Sequence, residues 1–400
     1  MAKLKVGLFI DTFFPMVDGV IMVVDNYARR LSKDFDVTVF APVGRKPFDD
    51  STLPYKVVRC KSKFPIYFLD YDLPLPNKDK EFKKQLNESN LDLVYIHSPF
   101  SIGKAGVKYA KKNGIPVVCH LHSQFKKDFY KSTHSKTLTS ILLKNIISVF
   151  NKCDYAIAVN EFTKSLFINE YKLKIPTTTI YNATEMSPVK DTQKAIKFAN
   201  NNYNLSKDEK IFLYVGRINK LKNIEISFKA LAILKEKFNN FKFLLVGDGC
   251  DIEYYKSKTK KLKLTQNVIF TGKILDKEIL KALYIRADLF LFPSKYDTEG
   301  LVKLEAASQK TPTICLENTG ASSSIIDNET GFISKDDPKA FADKIYMAIT
   351  DEKLYDHVSE KVFTDLYRTW EQSSKEMQDF IIKVIEEKRE RKENGKKNRI

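Results

Sequence analysis

Five short, nearly continuous apolar runs in the first half of the chain constrain its fold more than any other feature. They are Val6 to Ile10, Val37 to Ala41, Leu91 to Ile96, Pro116 to His120 and Tyr155 to Val159, with stretches of helical periodicity between them. A strand that is apolar on both faces must be covered on both, and a parallel sheet between layers of helices does this. The alternation stops between about Pro188 and Lys207, a polar stretch that reads as a linker with a short helix. It restarts at Ile211 to Gly216 and continues through Phe243 to Gly247, Val268 to Gly272, Asp288 to Phe292 and Thr311 to Leu316. The reading is α/β: two tandem Rossmann-like, doubly wound parallel-sheet domains facing a cleft, residues 1–187 and 188–368. Residues 369–400 form a terminal helix with a basic tail. The length of 400 residues suits two or three cores.

Several classes are set aside by composition. Cys60, Cys119, Cys153, Cys250 and Cys315 are scattered, odd in number and form no CxxC pair, so neither a disulfide framework nor a zinc site is expected. A reducing cytosol fits that usage. No signal-peptide core follows Met1, and no apolar run approaches the roughly 20 residues of a membrane span. The formal charge of +17 is partly in the tail, where Lys388 to Lys392 and Lys396 to Arg399 read as a fraying, solvated end. More of it lies between Lys104 and Lys152, which hold ten lysines against one acid, Asp128. Phe125, Phe129, Tyr130, Leu138, Ile141, Leu142, Ile146 and Ile147 are interleaved with that charge. Basic and apolar residues mixed on helices suit an anionic membrane surface, with Lys126, Lys127 and Lys131 as candidate contacts. Nucleic acid competes as a partner for a basic chain but is not expected here, and a lysine-rich genome accounts for such charge without any partner.

Polar residues and glycines gather where strands end, which is where open α/β sheets bind ligands. Asp18-Gly19-Val20 follows the first apolar run, His97 follows the third, and His120-Leu121-His122 ends the fourth. In the second half, Gly216-Arg217 and Lys222 follow one strand and Gly247-Asp248-Gly249 another. An arginine and a lysine five positions apart beside a glycine turn suit a diphosphate, because charge-assisted donors hold phosphate strongly. Neither GxGxxG nor GxxxxGK[ST] is complete, which sets aside nicotinamide-dinucleotide and P-loop chemistry. The stretch Asp297-Thr298-Glu299-Gly300-Leu301-Val302-Lys303-Leu304-Glu305 passes from a strand end into a helix. Acids there either cap the helix or meet a ligand whose phosphates use the first free amides.

These pieces, in this order, resemble the family-4 retaining glycosyltransferases of the two-domain GT-B fold, and the resemblance spans nearly the whole chain. It rests on Gly7 to Pro15 with Asp18-Gly19-Val20, Val215-Gly216-Arg217 with Lys222-Asn223, Leu245 to Gly249, Val268 to Gly272 and the acid-containing stretch. Thr369-Trp370-Glu371 resembles the segment from which the family's terminal helix returns to the first domain. The resemblance implies that Glu305 binds the nucleotide ribose and that Arg217 and Lys222 clamp the diphosphate without a metal or other cofactor. Gly19 would lie against the phosphates, the amides of Leu301 and Val302 would donate to them, and Gly216 and Gly300 would belong to the donor site. Asp297 falls at the acid that contacts the donor sugar, though shorter by one methylene than the usual glutamate. Glu299 stands where an aromatic residue is usual and competes for that role. His122 aligns best with the active-site histidine; His120 shares its strand face, and His97 reads as shaping a turn.

The implied reaction moves a hexose, glucose first, from a nucleoside diphosphate, uridine first, to an acceptor with retention. The similarity to bacterial diacylglycerol glucosyltransferases, with the basic first domain, implies a lipid acceptor at the cytosolic membrane face. A lipid-linked saccharide or polysaccharide is the alternative acceptor, and a noncatalytic nucleotide-sugar-binding module the alternative class.

Overall fold

The computed structural model describes residues 3–65 and 72–397. Contacts divide the chain into two compact units: Met1–Asn182 with Trp370–Ile400, and Ala183–Thr369.

The first unit contains β1 (Lys5–Phe9), β2 (Asp36–Pro42), β3 (Lys56–Cys60), β4 (Lys63–Phe64), β5 (Leu73–Pro74), β6 (Leu93–Ile96), β7 (Val117–Leu121), β8 (Tyr155–Ala158) and β9 (Thr177–Thr179). Seven of them form a sheet in the order β3-β2-β1-β6-β7-β8-β9, parallel throughout, while β4 and β5 pair antiparallel. The direction of strand addition reverses between β1 and β6, which makes the ends of those two strands a ligand-binding position. The helix Gly19–Leu31 starts where Asp18 accepts from the Ile21 amide at 2.8 Å, and it covers one face with Val23, Val24, Tyr27 and Leu31.

The terminal helix Trp370–Lys397 completes this unit. Buried Trp370 meets the edge of Tyr27 at 5.3 Å between ring centres, and the Tyr27 hydroxyl bonds Ser373 at 2.8 Å. The expectation of a frayed basic end is corrected here. Lys388 pairs with Asp154 at 2.6 Å and Arg389 with Asp92 at 3.0 Å, so opposite charges on the sheet's rim hold the helix regular. Residues 398–400, the rest of that basic end, lie outside the described residues.

The second unit contains β10 (Lys210–Val215), β11 (Phe241–Val246), β12 (Val268–Gly272), β13 (Leu289–Phe292), β14 (Thr313–Leu316) and β15 (Phe332–Ser334). They form a parallel sheet ordered β12-β11-β10-β13-β14-β15, which reverses between β10 and β13. Its boundary falls five positions before the sequence reading placed it. Residues 183–187 belong here because the Thr184 amide donates to the Arg368 carbonyl at 3.0 Å, and Glu185 pairs with Lys277 at 2.6 Å. The short helix expected between Pro188 and Lys207 is present, but the stretch is docked on the second unit and is not a free linker. Thr192–Tyr203 is a helix capped by Asp191, and Asn200 accepts from Arg286 at 2.7 Å, which docks it on the helix Lys277–Arg286. Its polar look reflects one thin buried stripe around Ala199.

Candidate active site

In the second unit the expected donor-binding residues converge on the β10–β13 reversal. β10 ends at Val215, the chain turns through Gly216, and exposed Arg217 follows, its carbonyl taking the Tyr214 hydroxyl at 3.0 Å. A single 3-10 turn, capped by Asn219, then presents Lys222. Lys222 Nζ lies 2.6 Å from Asp297 Oδ1, which comes from the loop after β13, so one ion pair spans the reversal. Each of the two side chains keeps about a fifth of its surface exposed. Gly247 is required by close approach: a Cβ there would sit 1.9 Å from the Gly216 carbonyl oxygen. The two glycine turns therefore pack backbone to backbone and keep Arg217 at the rim.

Gly300 has φ of +76° and no room for a side chain, because a Cβ would meet the Phe292 ring at 2.3 Å. It ends the loop and starts the helix Leu301–Ala307, which no side chain caps. The first amides, of Leu301 and Val302, are thus the unpaired donors of a helix start. One turn on, Glu305 accepts from the Tyr284 hydroxyl at 2.9 Å. Burial pushes the Glu305 carboxyl up, and that bond opposes the rise. Burial pushes Tyr284 well above its ordinary range, so its hydroxyl keeps the proton it donates.

The two acids that competed for the sugar have different surroundings. Glu299 is turned inward, 5% exposed, and lies 3.1 Å from Lys303 Nζ, which is itself fully buried. The ammonium also donates to the Ala321 carbonyl at 2.6 Å and to Ser324 Oγ at 2.5 Å. Glu299 thus ties its loop to the segment 321–324, whereas Asp297, the other acid expected to compete for the sugar, keeps about a fifth of its side chain exposed. The family-like spacing carried no sign of this, because Lys303 sits at an apolar helix position where a lysine looks like a surface residue.

In the first unit, Asp11 and Ser98 meet across the β1–β6 reversal at 2.7 Å. Asp11 also accepts from the amides of Ile102 and Gly103, at 2.7 and 3.3 Å, and so anchors the start of the helix Ser101–Asn113. Burial pushes its carboxyl up while these bonds hold it down. Gly19 opens its helix, and a Cβ there would meet nothing within 4 Å, so packing does not demand glycine.

Three histidines stand together at the ends of β6 and β7. His97 Nδ1 lies 3.1 Å from His122 Nε2, and His120 Nδ1 lies 2.6 Å from the Tyr95 hydroxyl. All three are buried, and burial pushes His97 and His120 well down and His122 to about 3, so the rings are neutral at pH 7. His97 was expected only to shape a turn; its ring contact is a finding that strand order, not the linear sequence, reveals. The three also form a group, among the described residues, with one ring nitrogen each within 4.8 Å of the others. Such spacing suits a metal, but two of the rings are already hydrogen-bonded to each other. The His120 ring lies against His122, 4.1 Å between centres and 33° from parallel, so in-plane lone pairs do not converge on one point.

Lys126, Lys127 and Lys131 are exposed on the helix Phe125–Thr133, and Lys126 faces Glu170 at 3.7 Å. Tyr130 on that helix, with Leu138 and Ile141 on the next, Lys136–Phe150, are 44–58% exposed. Among the described residues no helix is long and apolar enough to cross a membrane.

Two Rossmann-like parallel sheets of seven and six strands define the GT-B fold, and solved structures agree. Sucrose-phosphate synthase from Thermosynechococcus elongatus superimposes with a TM-score of 0.78 at 21% identity, over 96% of this chain and 99% of that one. Anabaena HepE in complex with UDP-glucose gives 0.71 at 16% identity, over 95% and 100%. Residues 17–187 match Glycosyltransferase Family 4, and residues 196–364 match Glycosyl transferases group 1. The chain belongs to the GT-B glycosyltransferases built from these two domains. Among characterised relatives, alpha-monoglucosyldiacylglycerol synthase of Streptococcus pneumoniae is 27% identical over 338 residues, 82% of this chain and 74% of the relative.

Proposed function

We propose that this glycosyltransferase moves glucose, with retention, from UDP-glucose to diacylglycerol at an anionic membrane surface. The observation that carries the donor half is the Lys222–Asp297 pair across the β10–β13 reversal. It sets a cation for the diphosphate against an acid for the sugar, with Arg217 exposed nearby in sequence and Glu305 one helical turn beyond. Lys222, Arg217 and the helix-start amides would stabilise the leaving diphosphate as its charge builds, with no step that calls for a metal. Gly19, which packing leaves free to be any residue, would admit the phosphates close to the first helix. His122 would contact the sugar, and the departing phosphate would help take the acceptor proton. The acceptor half draws on the name of the Streptococcus relative and on the lysines and bare apolar side chains of the helices Phe125–Thr133 and Lys136–Phe150. The deciding experiment supplies UDP-glucose and diacylglycerol in anionic vesicles and reads the anomeric configuration of the product by NMR. Glycolipid with an α linkage is expected; no glycolipid from any UDP-hexose would remove the proposal.

Two results bear on its halves. Glu305→Gln and Arg217→Ala should each weaken UDP binding by about tenfold or more, since a hydrogen bond to a charged group contributes roughly 1.5–3 kcal/mol. Titration calorimetry on folded variants measures this, and unchanged affinity in both would strike out the donor site. The protein should also sediment with vesicles rich in anionic lipid and release as salt rises. Each surface lysine contributes about 1 kcal/mol there, decaying over a Debye length of about 8 Å. Changing Lys126, Lys127 and Lys131 together to glutamate should weaken sedimentation, and indifference of the unmodified protein to such vesicles at low salt would end the membrane reading.

A further inference from the structure

The buried histidines raise a question about His122 that its position alone does not answer: whether it offers the sugar a proton or a lone pair. Its Nε2 is 3.1 Å from His97 Nδ1, with the ring planes 19° apart and the centres 5.3 Å apart. Near-coplanar rings meeting edge to edge are the geometry of an N–H···N hydrogen bond, in which one ring donates and the other accepts. The remaining nitrogen of His97, Nε2, is buried with no partner. A buried donor without an acceptor is rarer in folded proteins than a buried acceptor without a donor. On that preference Nε2 is the bare nitrogen of His97, which leaves the proton to Nδ1, facing His122.

We propose that His97 is a positioning residue: its Nδ1–H donates to His122 Nε2 and holds His122 as the neutral tautomer protonated on Nδ1. This rests on the reading of His122 as the sugar-contacting histidine. Under it, His122 serves as a hydrogen-bond donor to a sugar hydroxyl, not as a base. Three further contacts fix the pair. The His97 backbone amide bonds the Phe9 carbonyl at 2.8 Å, the Tyr95 ring lies 4.2 Å from the His97 ring, and the His120 ring lies 4.1 Å from that of His122. The Tyr95 hydroxyl in turn bonds His120, so one tyrosine steadies both neighbours. Burial favours the neutral form of all three rings.

The test uses the full chain with ¹⁵N-labelled histidine and two-bond ¹H–¹⁵N correlation spectra, with His122 assigned by its loss in His122→Asn. The expected pattern places the His122 proton on Nδ1 and leaves Nε2 bare, unchanged between pH 6 and 9. His97→Asn, whose amide can donate from the position of Nδ1, should keep that pattern. His97→Leu should give mixed tautomers and a fall in kcat of up to about 100-fold, the scale of a misplaced reacting group, with KM little changed. A His122 proton on Nε2 in the unmodified protein would overturn the proposal, and so would a pattern and kcat that survive in His97→Leu. Turnover of His122→Asn separates the two layers: if it is undiminished, the sugar-contact reading fails, while the spectra still decide the hydrogen bond.

Discussion

Replacing Lys303 with alanine is expected to lower the stability of the protein by about 3–5 kcal/mol, the cost of leaving a buried charge without its partner. The Lys303 side chain has no exposed surface and meets three acceptors: Glu299, the Ala321 carbonyl and Ser324. Its removal leaves the Glu299 carboxylate enclosed beside a new cavity. Pairing Lys303→Met with Glu299→Gln removes both charges and most of the void, so the double variant should recover much of the loss, since apolar replacement of a buried ion pair is often neutral. Urea unfolding followed by fluorescence measures all three proteins. An unaltered midpoint for Lys303→Ala would show that the pair is not closed off from water as the structure describes. A double variant no better than the single would show that packing, not charge, sets the cost.

Asp297→Asn should lower turnover by about 100-fold, the scale seen when one preorganised polar contact to a transition state is lost. It should change UDP affinity far less. UDP lacks the transferred hexose that Asp297 is proposed to touch, and Lys222, released from its 2.6 Å pair, remains available to the phosphates. Glu299→Gln should affect turnover less than Asp297→Asn, because its carboxylate already faces Lys303 inside the protein. The measurement is kcat with one donor at saturating acceptor, beside UDP titration of the same variants. Equal losses in kcat and UDP affinity would make Asp297 a phosphate-site residue. A larger loss of kcat in a well-folded Glu299→Gln would return the sugar to that acid.

The sequence made the parallel strands legible because burial on both faces leaves a run of Val, Ile, Leu and Phe that no surface element tolerates. Of the edge strands, β12 was legible as Val268 to Gly272, while β3, β9 and β15 were not. β3 reads Lys-Val-Val-Arg-Cys and β9 is three threonines, each with a paired neighbour on one side only, so polar residues are at home there. The candidate donor residues could be placed by spacing because they sit at strand ends, a position linear order does give. What their side chains face could not. Glu299 and Asp297 are two positions apart and chemically alike, yet one pairs inside and the other at the surface. His97 and His122 are 25 positions apart and meet only because β6 and β7 are neighbours.

The first unit takes its last 28-residue helix from the far end of the chain, and the second is in effect an insert whose two ends are stitched together by Thr184 and Arg368. During synthesis, the N-terminal sheet therefore emerges long before the piece that finishes it. Tyr27 waits without Trp370, and Asp92 and Asp154 without their cations, while the whole of the insert is made and is free to fold on its own contacts. A ribosome that stops before residue 370 releases a finished insert attached to an open half. The last part of the message thus decides whether the first part of the protein is ever closed.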